Sequence, residues 1–225
     1  MNKQLLLIML LFTTPAMGQS AATGSYINTD KAVSVSEEGR ITGDAARAIG
    51  DAFADCVVRR HYRPALNALN MARDSAEQYN ALHRILDQEC WAGSGSVRRA
   101  EGVEIHMTTN PISFRNGLYK ALVRRDYAKI VLAKSEDAIL GSAGQSPILR
   151  FSTCLTKRNP ASSLRLALSL AGSKAERAAF DQLQPQFGLC LYQGESLALT
   201  VRGLATALPE AYYRTAEAAQ TVGVK

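Results

Sequence analysis

Two eight-residue stretches of the chain decide its fold: residues 53–60 read FADCVVRR, and residues 151–158 read FSTCLTKR. Both follow the pattern F-x-x-C-[VL]-x-[RK]-R, so a phenylalanine, a cysteine and two cations recur at the same spacing. A Pro-Ala step follows each stretch, at Pro64 and at Pro160. This recurrence indicates that the chain contains one structural unit twice.

Further matches extend the comparison through both halves. The sequence D-x-A-E at residues 74–77 corresponds to S-x-A-E at residues 173–176, and G-L-x-x-A-L begins at Gly117 and again at Gly203. The first cysteines of the two copies lie 98 residues apart and the second cysteines 100 apart, whereas the matched positions beyond them lie 86 apart. The first copy therefore carries 14 extra residues (100 minus 86) after Cys90.

The apolar pattern within each unit is helical. Apolar residues before and after the first cysteine are spaced alternately three and one apart, which is typical of an amphipathic helix. They are Ala45, Ala48, Ile49, Ala52, Phe53, Cys56 and Val57. The D-x-A-E and S-x-A-E sequences resemble capping boxes, with Asp74 and Ser173 as the predicted N-caps. The sequence therefore predicts an all-α protein made of two homologous units of short helices.

Prolines and the G-L-x-x-A-L motif suggest where helices begin and end. Pro64 and Pro160 suit a first helical turn, where the missing N–H costs nothing. Pro185 should end or kink the second unit's capped helix, and Pro209 should kink or restart the last helix. We expect the last helix to span residues 114–134 in the first unit and 197–219 in the second.

The first eighteen residues have the features of a secretory signal peptide. Lys3 precedes an apolar run at residues 5–12, Pro15 breaks that run, and the small residues Ala16 and Gly18 suit a peptidase that cleaves near Gly18. A run of this length is too short to span a bilayer, which takes about 20 residues. We expect a periplasmic or secreted protein with no transmembrane segment in the mature chain.

The remaining boundaries follow from the repeat and from composition. We expect a leader at residues 19–40, a first unit at 41–135 with its extra segment at 94–112, a linker at 136–147 and a second unit at 148–225. The leader is rich in Ser, Thr, Gly and Ala, and the linker contains a Gly-Ser turn region.

The four cysteines are expected to form disulfides, because export places them in an oxidising compartment. Four cysteines permit three pairings. A unit duplicated as a whole would have carried its own bridge, which favours Cys56–Cys90 and Cys154–Cys190. The rival interpretation, thiols that catalyse or bind a metal, lacks a C-x-x-C pair.

In each copy a tyrosine closes the G-L-x-x-A-L segment, at Tyr127 and at Tyr213. Together with the repeated cysteine motif and the capped helix, this arrangement resembles a group of exported proteins of Gram-negative bacteria. The resemblance covers residues 44–215. It implies a periplasmic location, and it implies no activity or site residue because that group has no known activity.

The duplicated cations are the candidate binding residues. Arg59 and Arg60 in the first unit, and Lys157 and Arg158 in the second, are candidates for an anion site, since arginine offers a bidentate fork to carboxylates. The alternative is that these cations only stabilise the end of a helix. The formal net charge is +6, but the basic residues are scattered and no aromatic basic motif accompanies them. We therefore expect no nucleic-acid partner and favour an envelope protein or an anionic envelope polymer.

Signs of catalysis are weak. The chain contains no G-x-S-x-G elbow, Walker loop or dinucleotide fingerprint, and its three histidines lack a metal-ligand spacing. Glu104 and His106 would share a face if the extra segment is extended, as an acid–base pair or as two metal ligands. We predict no catalytic residue, metal or cofactor, and a non-enzymatic binding module. The alternatives are a hydrolase-like enzyme that uses Glu104 and His106, and a periplasmic stress chaperone.

Overall fold

The computed structural model describes residues 43–94, 111–130, 132–135, 145–191 and 196–222. These residues form ten α-helices and contain no strand, which confirms the all-α prediction. The helices are α1 (Gly43–Arg60), α2 (Tyr62–Leu69), α3 (Ala76–Arg84), α4 (Gln88–Ser94), α5 (Pro111–Leu122), α6 (Pro147–Arg158), α7 (Pro160–Leu168), α8 (Lys174–Leu183), α9 (Phe187–Cys190) and α10 (Val201–Val222). A π turn (Val123–Tyr127) continues α5, and a 3-10 turn (Gln184–Gln186) joins α8 to α9.

The helices follow the same order in the two halves. In each half a helix with the first cysteine is followed by a short helix, a capped helix, a short helix with the second cysteine and a final helix. The common ancestry of the halves stays a prediction from the sequence. The signal peptide, the leader, Glu104, His106 and residues 136–144 of the linker lie outside the described residues.

The predicted disulfide pairing is confirmed. Cys56–Cys90 joins α1 to α4, and Cys154–Cys190 joins α6 to α9. The Cα–Cα distances are 5.4 and 5.6 Å, which are ordinary for disulfides. Each bridge therefore fixes the helix that opens a half to the end of that half's capped segment.

The final helix of each half occupies a central position. α5 packs against α1, and α10 packs against α6, α7 and α5. Two apolar clusters result, one around each disulfide, and α10 contributes Tyr212, Tyr213 and Ala216 to the cluster of the first half. The rings of Tyr127 and Tyr213 meet edge to face, with centroids 5.3 Å apart. The α5–α10 contact thus joins the two halves.

Gly117, the glycine of the first G-L-x-x-A-L motif, lets α5 approach α1 closely. A Cβ at this position would lie 3.0 Å from the Cβ of Ala54 and 3.6 Å from the carbonyl oxygen of Gly50. All residues of α5 from Phe114 to Leu122 except Asn116 are buried, so a shift of this helix would disturb the whole first cluster. The small residue is therefore required by packing.

The first capping box was predicted one residue early. Ser75, not Asp74, is the N-cap of α3, and its side chain accepts a hydrogen bond from the backbone N–H of Gln78. Asp74 instead has a positive φ of 61°, and its N–H donates to Oε1 of Gln78. Asp74 takes this left-handed conformation because asparagine and aspartate tolerate it better than most residues.

The predicted N-cap of the second capping box, Ser173, is confirmed. Ser173 accepts from the N–H of Glu176, whose carboxylate accepts from the N–H of Gly172. The residue before each N-cap has a positive φ, which is 72° at Gly172 and 61° at Asp74. The two caps are therefore alike when the halves are aligned 98 residues apart, the spacing of the first cysteines, because Ser173 then matches Ser75.

The predicted ends of the last helices also need correction. The first-half helix begins at Pro111 and its π turn ends at Tyr127, and the second-half helix spans Val201–Val222. Pro185 ends α8 as predicted, since the 3-10 turn follows Leu183. Pro209 does not restart α10, because the helix continues through it while packed against three other helices. Helix α6 begins at Pro147, which is the last residue of the linker predicted at 136–147.

Candidate functional site

The predicted cations of the first half lie at the end of α1 and are partly engaged. Arg60 donates through Nε to Oδ2 of Asp87 at 2.7 Å, and its Nη2 lies 2.5 Å from Oε2 of Glu89. Arg59 is exposed beside it. Arg60 thus links α1 to the start of α4, next to the disulfide.

The predicted cations of the second half lie at the end of α6. Nε of Arg158 donates to Oε1 of Gln186 at 3.3 Å, and Lys157 is half-buried. One arginine of each half therefore contacts the segment that leads to the second cysteine. These contacts favour a structural role, and anion binding by the two pairs stays a prediction.

Asp87 has an unusually large number of donors. Its Oδ2 lies 2.8 Å from Nε2 of His61, and its Oδ1 accepts from the backbone N–H groups of Glu89 and Cys90 at the start of α4. The hydrogen bond with His61, joined by the backbone donors and Arg60, lowers the pKa of Asp87 to about 2. The ionised form of this carboxyl is therefore stabilised by folding.

Asp87 should make stability depend on pH in the acidic range. Because its pKa is lowered to about 2 from 3.8, its contribution is fully present above the unfolded value and is lost as the pH falls through the folded one. We expect the free energy of unfolding to decrease from pH 4 to pH 2, and Asp87→Asn to flatten this dependence. Urea unfolding across that range measures it; an unchanged slope in the variant would contradict the assignment.

A buried ion pair lies where α5 meets α10. Arg115 is 1% exposed and Glu210 is 2% exposed. Nη1 and Nη2 of Arg115 donate to the two carboxylate oxygens of Glu210 at 2.5 and 2.6 Å. This bidentate arrangement is the strongest common geometry for an arginine and a carboxylate.

Further cations surround the same carboxylate. Nε of Arg214 donates to Glu210 at 2.9 Å, and Nη1 of Arg73 lies 3.6 Å from it. Burial raises the pKa of Glu210, but the hydrogen bond and charge of Arg115, with the charges of Arg214 and Arg73, outweigh it and leave that pKa below its usual value. Nε of Arg73 also lies 3.5 Å from Oδ2 of Asp74. Three guanidinium groups therefore meet two carboxylates, so the cluster carries a formal net charge of +1 (3 minus 2).

A cavity of about 220 Å³ opens between α3 and α5, beside this cluster. Its lining residues are Asp74, Ser75, Gln78, Tyr79, Leu82, Pro111, Ile112 and Arg115. Tyr79 is 52% exposed and Ile112 is 40% exposed, so two large apolar side chains at the cavity face solvent. The cavity therefore combines apolar walls with a buried cation.

The polar lining is held in place by the α2–α3 connection. Gln78 is buried, and its Nε2 donates to the carbonyl oxygens of Ala68 and Met71 while its Oε1 accepts from Asp74. By contrast, Nε of Arg115 has no hydrogen-bond partner within the described part of the chain. Buried polar atoms are nearly always paired, so this N–H marks a place for an acceptor.

Neither Arg115 nor Glu210 belongs to the candidate residues predicted from the sequence. An arginine in an amphipathic helix is normally assigned to the solvent face. The position of Arg115 nevertheless indicates that it is buried. It lies three residues before Leu118 and seven before Leu122, and this spacing places the three side chains on the same apolar face of α5. Glu210, just before two buried tyrosines in α10, gives a matching signal of opposite charge.

Comparisons with protein-family models, with curated proteins and with solved structures find no match to this chain. Within the described ranges, no helix is long and apolar enough to cross a membrane. The same residues include no group of three or more His, Cys, Asp or Glu side chains placed to hold a metal ion. Glu104 and His106 lie outside the described residues, so acid–base or metal chemistry at these two side chains stays a prediction.

Proposed function

We propose that this protein is a non-enzymatic binding module that works outside the cytoplasm, in the periplasm or after secretion, and contacts an envelope component at the cavity between α3 and α5. The observation that carries the proposal is the cavity itself, with exposed Tyr79 and Ile112 beside the buried Arg115. Concave sites with apolar walls and a few fixed polar groups are where proteins bind ligands.

The exposed aromatic side chain supports a contact with a partner. Tyrosine is enriched among the residues that dominate binding energy at interfaces. Leu82 and Pro111 extend the apolar wall between Tyr79 and Ile112. The two disulfides support a compartment that is oxidising. The resemblance to exported Gram-negative proteins favours the periplasm among such compartments.

Alanine at the cavity should weaken partner binding. We would immobilise the chain from Gln19 onward, pass envelope extract over it at low and high salt, and measure the affinity of each retained component. Tyr79→Ala and Ile112→Ala should each reduce the affinity of the true partner about tenfold, a typical cost for a central interface side chain. Leu189→Ala is the matched control, because Leu189 is 57% exposed and does not line the cavity.

The alternative outcome points to the cation pairs. A component that is retained only at low salt, and whose retention falls in Arg59→Ala but not in Tyr79→Ala, would show that the basic surface is the binding site. Equal affinity in the cavity variants and in the Leu189→Ala control would contradict the proposed site.

A further inference from the structure

We infer that the cavity between α3 and α5 binds an apolar group that carries a single carboxylate, and that the Nε edge of Arg115 receives this carboxylate. The inference rests on the proposed function, because it takes the cavity as the site of contact. It adds the chemical class of the ligand.

The hydrogen bonds of Arg115 leave Nε unpaired, in a side chain that is buried at the wall of the cavity. The group has five N–H donors, and Glu210 takes one from each terminal nitrogen. The ring of Tyr119 lies on a face of the same group, 5.0 Å from Cζ. The remaining Nε–H and its neighbouring terminal N–H form a second fork that matches a carboxylate. Since Nε has no hydrogen-bond partner among the described residues, an acceptor is missing there.

The charge around the cavity favours an anion with one negative charge. Three arginines (Arg115, Arg73 and Arg214) outnumber the carboxylates of Glu210 and Asp74, so an incoming anion meets a net positive charge. Asp74 also lines the cavity, and its side chain is 61% exposed. Its charge opposes a second negative charge on the ligand, so a monocarboxylate fits better than a phosphate dianion.

The size and walls of the cavity define the rest of the ligand. A volume of about 220 Å³ is far above the ~10–15 Å³ that a cavity needs to hold one water. This space holds a group about as large as one amino-acid side chain, and Leu82, Pro111 and Ile112 give it apolar walls. A short aliphatic or aromatic acid meets these requirements, and so does the apolar carboxyl-terminal residue of a polypeptide.

Matched acids and amides test the inference on the full mature chain. We would titrate 3-phenylpropanoate and 3-phenylpropanamide, then acetyl-leucine and acetyl-leucine amide, and follow the NMR signals of Leu82 and Ile112. Each acid that fits should bind about tenfold or more tightly than its amide, because the amide cannot make charge-assisted hydrogen bonds to Arg115. Preference for the first acid indicates a free acid as the natural ligand, and preference for the second indicates a chain terminus.

Two variants isolate the charges. Asp74→Asn keeps the positive φ, which asparagine tolerates, and should raise the affinity of the acid about two- to fivefold without changing that of the amide. Asp181→Asn is the matched control, because Asp181 is exposed and does not line the cavity. The double variant Arg115→Gln/Glu210→Gln, checked for native helicity, keeps the net charge of the cluster but removes the fork of Arg115, so it should reduce the preference for acid over amide several-fold.

The outcomes separate the inference from the proposed function. Equal binding of acid and amide, or no binding of either acid, would overturn the inference. If Tyr79→Ala still weakened a retained partner in that case, the proposed function would stand. If the acids bound at Leu82 and Ile112 but the cavity variants retained every partner equally, the proposed contact with an envelope component would be wrong and the carboxylate site would stand.

Discussion

Arg115→Ala is expected to lower the free energy of unfolding by about 3–5 kcal/mol. The substitution leaves Glu210 buried at 2% exposure without its bidentate partner. Arg214 is 44% exposed and donates to only one carboxylate oxygen, so it does not replace Arg115. Equilibrium unfolding in urea, with the disulfides intact, measures the loss.

Two control variants show whether the unpaired charge causes that loss. Arg115→Met/Glu210→Leu removes both charges and fills similar volume, so we expect stability within about 2 kcal/mol of the parent chain. Arg124→Ala breaks a partly exposed ion pair with Asp55 and should cost about 1 kcal/mol or less. If Arg115→Met/Glu210→Leu were as unstable as Arg115→Ala, the loss of stability would come from altered packing and not from the unpaired charge.

Cys56→Ala/Cys90→Ala is expected to lower the free energy of unfolding by about 3–4 kcal/mol. The bridge closes a loop with a sequence separation of 34, and its loss frees the unfolded chain. Because α10 adds Tyr212 and Tyr213 to the first apolar cluster, the loss should affect both halves in one transition. Thermal unfolding followed by circular dichroism and by tyrosine fluorescence would give coincident curves.

The second disulfide provides the matched comparison. Cys154–Cys190 has a sequence separation of 36, so the loop-closure argument gives Cys154→Ala/Cys190→Ala nearly the same cost. A large difference between the two double variants would mean that local packing, not chain entropy, dominates. Two separate transitions in either variant would contradict the coupling of the halves through α10.

Most of the local structure could be predicted from short stretches of the sequence. The three-and-one spacing around Cys56 predicted α1, and Ser173 with Glu176 predicted the start of α8, because both depend only on residues within one or two turns. Pro185 predicted the end of α8 because proline lacks the N–H that a helix needs. The order of cysteines in the repeat was enough to predict both disulfides, since each joins the first and fourth helices of its own half.

The N-cap of α3 and the continuation of α10 through Pro209 depended on contacts with other parts of the chain. Asp74 and Ser75 are both good N-cap residues, and the choice of Ser75 follows from Gln78, which is buried and bonded to Ala68. Pro209 has the sequence signature of a helix break, but α10 continues because α5, α6 and α7 hold it on several sides. For Pro209, tertiary packing outweighs a local cost of about 3 kcal/mol.

The candidate site, in contrast, depends on contacts between helices that are distant in the sequence. Arg115 and Glu210 are 95 residues apart, and nothing in the pattern around either residue specifies the other. A helical stripe shows that a face is buried but does not show which helix covers it. The cavity exists because α3 and α5, which are separated in the sequence by α4, leave a space lined by Tyr79, Ile112 and Arg115. Such a space is a property of packed surfaces, so it appears only when the helices are assembled.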